Sequence, residues 1–147
     1  MSNEAKFTTA EAARGFMLGG NATVTLVSLK TGTRFTYKIR QADSGDVWFV
    51  SLLSGPDNEK DFSYLGRIDA SLRFWRGRKT PKPGDVGIEA PSMKAFSWTW
   101  QGVMAGHNET QVEIWHEGRC GRCNRKLTVP ASIASGFGPE CVKMECV

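Results

Sequence analysis

The sequence predicts an α+β protein with a small curved, barrel-like antiparallel sheet, one or two helices and a C-terminal zinc finger. Three observations support this class. Short runs of β-branched and aromatic residues follow one another between turn residues, as in a meander. Two other segments have the apolar spacing of helices. All four cysteines lie close to the C-terminus, between Cys120 and Cys146.

The first helix is predicted to begin within residues 7–11. Thr8 as the N-cap and Glu11 at N3 would form a capping box, in which each side chain accepts a hydrogen bond from the other's backbone N–H. Gly19 and Gly20 would supply the left-handed stop of the helix, because glycine tolerates that conformation. The buried stripe is expected to consist of Ala12, Ala13, Phe16 and Met17.

Four or five strands should follow, separated by turns that contain Gly32, Gly45 and Gly55. In the second strand, Phe35, Tyr37 and Ile39 share one face because side chains alternate with a period of two. The predicted strands are Thr23–Ser28, Arg34–Ile39, Val47–Leu53, Phe62–Ile68 and Ser71–Trp75.

A loop and a second helix come next. Prolines and a glycine exclude regular structure from residues 79–84. Pro91 suits the first turn of a helix, and residues 111–115 form a further strand. The second helix would bury Met93, Phe96, Trp100, Val103 and Met104. Four tryptophans in segments with an apolar face are expected as core anchors: Trp48, Trp98, Trp100 and Trp115.

The cysteine cluster predicts one structural Zn²⁺. Cys120 and Cys123 have the C-x2-C spacing of a zinc knuckle, and Cys141 would lie on the first turn of a helix beginning at Pro139. The arrangement is typical of a treble-clef finger. Four protein ligands would close the site, which excludes an activated water and a catalytic role.

The fourth zinc ligand is either His116 or Cys146. A residue five positions after Cys141 on a helix is turned by about 140° from it, which favours His116. Cys146 becomes the better ligand if the last turn is irregular. We therefore predict a site of His116, Cys120, Cys123 and Cys141, with Cys146 as the alternative. These residues define the expected division into an α+β domain over 1–110 and a finger module over 111–147.

Residues 116–130, Ser132 and residues 136–141 resemble a short zinc-finger family common in proteins of phages and prophages. Its approximate pattern is H-E-G-R-C-x-x-C-G-R-x-L-T-x-P-x-S followed by G-[IF]-G-P-x-C, and Asn124 replaces the usual glycine. Residues 20–22, 31–37 and 64–66 are similar to the leading part of such proteins. The resemblance implies a phage origin, favours His116 as a ligand and names no reaction.

Motifs for catalysis are missing from the sequence, which has no P-loop, nucleophile elbow or H-E-x-x-H. We therefore expect no enzyme and no catalytic residue. No apolar run is long enough for a membrane span, and residues 1–6 lack an export signal. The expected location is the cytoplasm, that of the bacterial host if the origin is a phage.

Basic residues are concentrated between Arg67 and Lys82, where Asp69 is the one acid and Phe74 and Trp75 are interspersed. Cations could contact phosphates while an aromatic ring stacks on a base; alternatively, the segment is a solvated hairpin with core aromatics. The candidate nucleic-acid-binding residues are Arg73, Trp75, Arg76, Arg78, Lys79, Lys82, Arg119, Arg122 and Arg125.

Two functions follow from these features. The first is non-catalytic nucleic-acid binding through the basic, aromatic-containing loop and the basic finger. The alternative is a protein-interaction module that inhibits or modulates a host enzyme or defence protein, with zinc purely structural.

Overall fold

The structure, a computed structural model, describes residues 6–7, 9–53, 62–78, 80, 82–106 and 112–116. Within these ranges it has two helices and a six-stranded antiparallel sheet, which confirms the α+β class. The elements in chain order are α1 (Ala10–Met17), β1 (Asn21–Ser28), β2 (Arg34–Gln41), β3 (Trp48–Leu53), β4 (Phe62–Ile68), β5 (Phe74–Arg76), α2 (Pro91–Met104) and β6 (Val112–His116).

The sheet has the strand order β5-β4-β3-β2-β1-β6 and is open. The first five strands form the predicted meander, and β6 joins it beside β1. The expected barrel-like form is therefore wrong, because β5 and β6 lie at opposite ends of the strand order. The final strand of the described residues lies at the edge next to β1 and leads directly to the cysteine-containing stretch of the sequence.

Helix α1 begins one residue later than the capping-box prediction required. Its N-cap is Thr9, whose hydroxyl accepts a hydrogen bond from the Ala12 backbone N–H at 3.1 Å. The shift moves Glu11 from N3 to N2, so the predicted pairing with Thr8 as the cap is wrong. The predicted buried stripe was wrong at one position, since Ala12 is exposed and Ala10 is buried.

The strand predictions were close to the observed bounds except at β5. That strand was expected over Ser71–Trp75 and spans Phe74–Arg76. The preceding turn displaces it, because Leu72 has a φ of 66° and cannot continue an extended strand. A non-glycine residue in this conformation has no signature in the sequence, so the prediction placed the strand too early.

Both helices pack against one face of the sheet and enclose the core. Tyr37 and Ile39 are buried there, and Phe35 packs at its margin, as the alternation in β2 predicted. The Tyr37 hydroxyl donates a hydrogen bond of 2.6 Å to the Ser92 carbonyl, which fixes the first turn of α2 over β2. From α2, the core receives Met93, Phe96, Trp100 and Val103, with Met104 packed at its margin.

The four tryptophans expected in the core occupy different environments. Trp100 is buried, Trp48 packs against the core and Trp115 is partly buried. Trp98 was predicted incorrectly, since 49% of its surface is exposed. It lies two residues from Trp100 on α2, a separation that turns it away from the sheet.

Neither of the two described helices is long and apolar enough to cross a membrane.

Candidate nucleic-acid interface

The sheet face opposite the helices carries a row of alternating cations and aromatic rings. Arg40 of β2 pairs with Phe49 of β3, Phe49 pairs with Arg67 of β4, and Arg67 pairs with Trp75 of β5. Directly paired residues share a face of the sheet, so these four side chains follow one another across four strands. We call Arg40, Phe49, Arg67 and Trp75 the sheet-face row.

Two large aromatic side chains in the row are exposed, which is unusual for residues that could fill a core. Phe49 has 43% of its surface exposed and Trp75 has 39%. Their neighbours in sequence, Val50 and Phe74, face the core instead. Strand alternation therefore directs one apolar set inward and leaves a second aromatic set at the surface.

A bulge in the β3–β4 pairing adds Tyr64 to the same surface. Tyr64 and Arg67 are three residues apart and would face opposite sides of a regular strand. The register shifts between Val50 and Ser51, so Tyr64 pairs with Ser51 while Arg67 pairs with Phe49. The Phe49 and Tyr64 ring centroids are consequently 6.4 Å apart on one face.

Cations lie beside three aromatic rings of this surface. The Arg73 and Arg67 guanidinium carbons are 4.6 Å and 5.3 Å from the Trp75 ring centroid. The Arg78 guanidinium carbon is 4.1 Å from the Tyr64 ring centroid, and the Lys38 Nζ is 5.6 Å from that of Phe62. Guanidinium stacking on a ring leaves the N–H groups at its edge able to contact phosphates.

Asp69 holds the β4–β5 turn and orients Trp75. Its Oδ1 accepts hydrogen bonds from the backbone N–H groups of Ser71 and Arg73, at 2.9 Å and 3.0 Å. Its Oδ2 accepts one from the Trp75 Nε1–H at 2.8 Å. The bond from Trp75, followed by the backbone bond from Arg73, lowers the pKa of the Asp69 carboxyl. The one acid noted in the basic segment is therefore engaged in local hydrogen bonds.

Among the predicted nucleic-acid-binding residues, Arg73 and Trp75 meet at the β5 edge, whereas Arg76 pairs with Gly66 and therefore lies on the core-facing side of the sheet. Arg73 and Arg76 are both exposed, although an Arg76 Nη1–H donates a hydrogen bond to the Ile88 carbonyl at 3.2 Å. Arg78 is differently placed, since its Nε lies 2.9 Å from the Asp85 Oδ2. Arg78 thus contacts both the Tyr64 ring and the Asp85 carboxylate, and the ion pair with Asp85 offsets its positive charge. Lys82 is exposed, with its backbone N–H donating to Asp85. Four further candidates lie outside the described residues: Lys79, Arg119, Arg122 and Arg125.

The sequence did not indicate Arg40, Phe49 and Tyr64 as candidate binding residues. These residues belong to three different strands, so no short segment of the sequence brings them together. The alternation within each strand was visible, but their alignment across the sheet depends on the pairing register and on the bulge. Arg67 and Trp75, which are two of the four residues of the sheet-face row, do lie in the basic segment noted in the sequence.

The predicted zinc ligands are described only at His116. It ends β6, pairs with Val24 and has 1% of its surface exposed. Its ring centroid lies 5.7 Å from that of Phe7 and 5.6 Å from that of Phe16. No group of three or more potential metal-ligating side chains occurs within the described ranges. Cys120, Cys123, Cys141 and the alternative Cys146 lie outside those ranges, so the zinc site stays a prediction.

Comparison with protein families finds a similarity at the C-terminus. Residues 115–144 match DUF6011, a family of unknown function. The match includes His116, Cys120, Cys123 and Cys141 and ends before Cys146. Searches of curated proteins and of solved structures returned no match.

Proposed function

We propose that this protein binds single-stranded nucleic acid without catalysis, across the sheet face opposite its helices. The observation that carries the proposal is the sheet-face row, in which Arg40 and Arg67 alternate with the exposed rings of Phe49 and Trp75. Proteins that bind single strands combine cations for the phosphates with aromatic rings for the bases. The alternating row supplies both groups on one surface.

The direction of the row favours a single strand over a duplex. Adjacent strands of a sheet are about 4.8 Å apart, so the row from Arg40 to Trp75 extends about 14 Å. Unpaired bases can lie flat on rings along such a path, whereas the bases of a duplex are stacked inside it. Arg73, whose guanidinium carbon is 4.6 Å from the Trp75 ring centroid, adds a further positive charge at the β5 end of the row.

Substitution of Phe49 tests the proposal directly. Loss of one base–ring stack weakens binding by about 1 to 3 kcal/mol, so Phe49→Ala should raise the Kd for single-stranded DNA or RNA by about 5- to 150-fold. The measurement is fluorescence anisotropy of a labelled strand. Trp98→Ala is the matched control, because Trp98 is similarly exposed but lies on α2. An equal Kd for wild type and Phe49→Ala would exclude this face.

We further propose that one structural zinc ion is held by His116, Cys120, Cys123 and Cys141. The C-x2-C spacing supports a thiolate site, and the turn of about 140° expected between Cys141 and Cys146 on a helix favours His116 as the fourth ligand. In that arrangement the metal would join the end of β6 to the following segment.

Metal analysis should find one zinc per chain, retained in Cys146→Ser and lost in Cys120→Ser. Full retention in His116→Ala with loss in Cys146→Ser would instead assign Cys146.

A second candidate function is the binding of a host protein, and it rests on the exposed apolar surface around Trp98. Trp98, Phe35 and Val112 line an open groove on the helix side, with Lys30 and Lys94 also along it. Such a groove fits an acidic partner that contributes an apolar side chain. A partner captured from nuclease-treated bacterial lysate should be lost with Trp98→Ala and retained with Phe49→Ala. The reverse dependence would exclude the groove.

A further inference from the structure

A cavity lies at the β5 edge on the helix side of the sheet, the side opposite the sheet-face row. It has a volume of about 360 Å³ and lies between β5 and α2. Leu72, Phe74, Trp100 and Met104 give it apolar walls, while Arg73, Arg76, Ser97 and Gln101 add polar groups. Its volume falls within the usual range for small-ligand sites, about 300 to 1,000 Å³.

The charge of the cavity favours an anionic ligand. Two arginines and no carboxylate are among its lining residues. Both guanidinium groups are held in place, Arg73 against the Trp75 ring and Arg76 by the Ile88 carbonyl. Each retains further N–H donors, since a guanidinium carries five. A phosphate at the mouth of the cavity could therefore accept hydrogen bonds from preplaced cations.

The interior of the cavity suits a flat ring. Phe74 and Trp100 contribute aromatic surface on opposite elements. Trp100 has 2% of its surface exposed and its Nε1–H donates to the Leu72 carbonyl at 3.0 Å, so it forms a fixed wall, and the partly buried Phe74 offers more of the ring surface. The exposed Gln101 side chain carries an amide that can both donate and accept hydrogen bonds, as the edge of a nucleobase requires.

We infer that this cavity receives one unstacked nucleobase, with the attached phosphate bound by Arg73 and Arg76. The inference rests on the proposed function, because a nucleic-acid strand that leaves the sheet-face row at Trp75 and passes around the edge strand β5 would reach the cavity at Arg73. That arginine stacks on Trp75 and also lines the cavity, so it joins the two surfaces. A base in a duplex is paired and stacked, and entry therefore selects a single-stranded end or a free mononucleotide.

The test uses two substitutions of Gln101, an exposed residue whose replacement should leave the core intact. Gln101→Phe would fill the cavity, whereas Gln101→Ala would leave it open. Fluorescence anisotropy is measured with three labelled single-stranded oligonucleotides of equal length: one intact, one abasic at the 5′ end and one abasic at the 3′ end. Gln101→Phe should weaken binding of the intact strand about tenfold, the scale of one lost stacking contact, and Gln101→Ala should weaken it less than threefold.

The decisive comparison is between the affinities of wild type and Gln101→Phe for the intact and the abasic nucleic-acid strands. For one of the two abasic strands, Gln101→Phe and wild type should bind equally, because the base that enters the cavity is already missing. If Gln101→Phe bound the intact strand as tightly as wild type, the cavity inference would be wrong. The proposed function would still stand if Phe49→Ala raised the Kd for that strand. An absence of binding by wild type would overturn both.

A separate titration with a free nucleoside monophosphate distinguishes the two sources of the base. Saturable binding by wild type that Gln101→Phe abolishes would support the cavity as a mononucleotide site. Binding of the strand alone, with the end-base dependence described above, would support the cavity as a receptor for a strand end. The same saturation in both proteins would place the nucleotide elsewhere and contradict the inference.

Discussion

At the scale of single residues, Asp69 connects the backbone conformation of its turn to the position of Trp75 in the sheet-face row. Three hydrogen bonds converge on its carboxylate, two from the backbone of its own turn and one from the Trp75 indole. The turn also contains Leu72 in its left-handed conformation, with φ at 66°. A carboxylate that accepts several local bonds can compensate for such a conformation, and here it also fixes the exposed ring.

The lowered pKa of Asp69 predicts an effect of acid. Because the carboxylate is favoured in the folded protein, its contribution to stability is complete above its ordinary pKa of 3.8 and is lost as pH falls through the lower folded value. As the pH falls below about 4, the free energy of unfolding should therefore decrease more for wild type than for Asp69→Asn. Denaturant unfolding at a series of pH values measures this difference, and parallel curves for the two proteins would contradict the role of Asp69.

At the scale of elements, β5 depends on a close approach that only glycine permits. Gly66 pairs with Arg76, and a Cβ at Gly66 would overlap the Trp75 carbonyl oxygen and lie 2.8 Å from carbons of the Phe74 ring. The first of these is backbone and cannot move aside without shifting the strand. The glycine therefore allows β5 to pair with β4 and places Trp75 beside Arg67.

Gly66→Ala should lower the free energy of unfolding by about 2 to 3 kcal/mol through overpacking. It should also weaken nucleic-acid binding, since β5 carries Trp75. Chemical denaturation and anisotropy measure the two effects. Gly87→Ala is the control, because a Cβ there meets nothing within 4 Å and no left-handed φ is involved. If the Gly66 variant matched wild type in stability, the described β4–β5 packing would be wrong.

The elements themselves were largely predictable from the sequence. Hydrophobic alternation identified β1 to β4, and Pro91 marked the start of α2 correctly. Two details were not predictable. Threonine is a favoured N-cap residue, so the sequence alone does not distinguish Thr8 from Thr9. The β5 boundary depends on the turn at Leu72, where tertiary packing imposes a conformation that leucine rarely adopts.

At the scale of the whole molecule, the two faces of the sheet carry different sets of side chains. One face buries its side chains beneath α1 and α2, with the Tyr37 hydroxyl bonded to α2. The opposite face aligns residues from four strands that are remote in sequence, Arg40, Phe49, Arg67 and Trp75. The sequence indicated a basic aromatic segment, but the complete surface follows from the order of the strands and from the β3–β4 bulge.

The salt dependence of single-strand binding measures whether the arginines of the sheet-face row contact phosphates. Each phosphate contact contributes a slope of about −0.7 in a plot of log K against log salt concentration. Arg40→Ala with Arg67→Ala should therefore make the slope shallower by about 1.4. The control, Lys30→Ala with Lys94→Ala, removes the same charge from exposed positions along the Trp98 groove and should keep the wild-type slope. Equal slopes for the two double variants would show that the sheet-face row does not contact the phosphates, and would contradict the account.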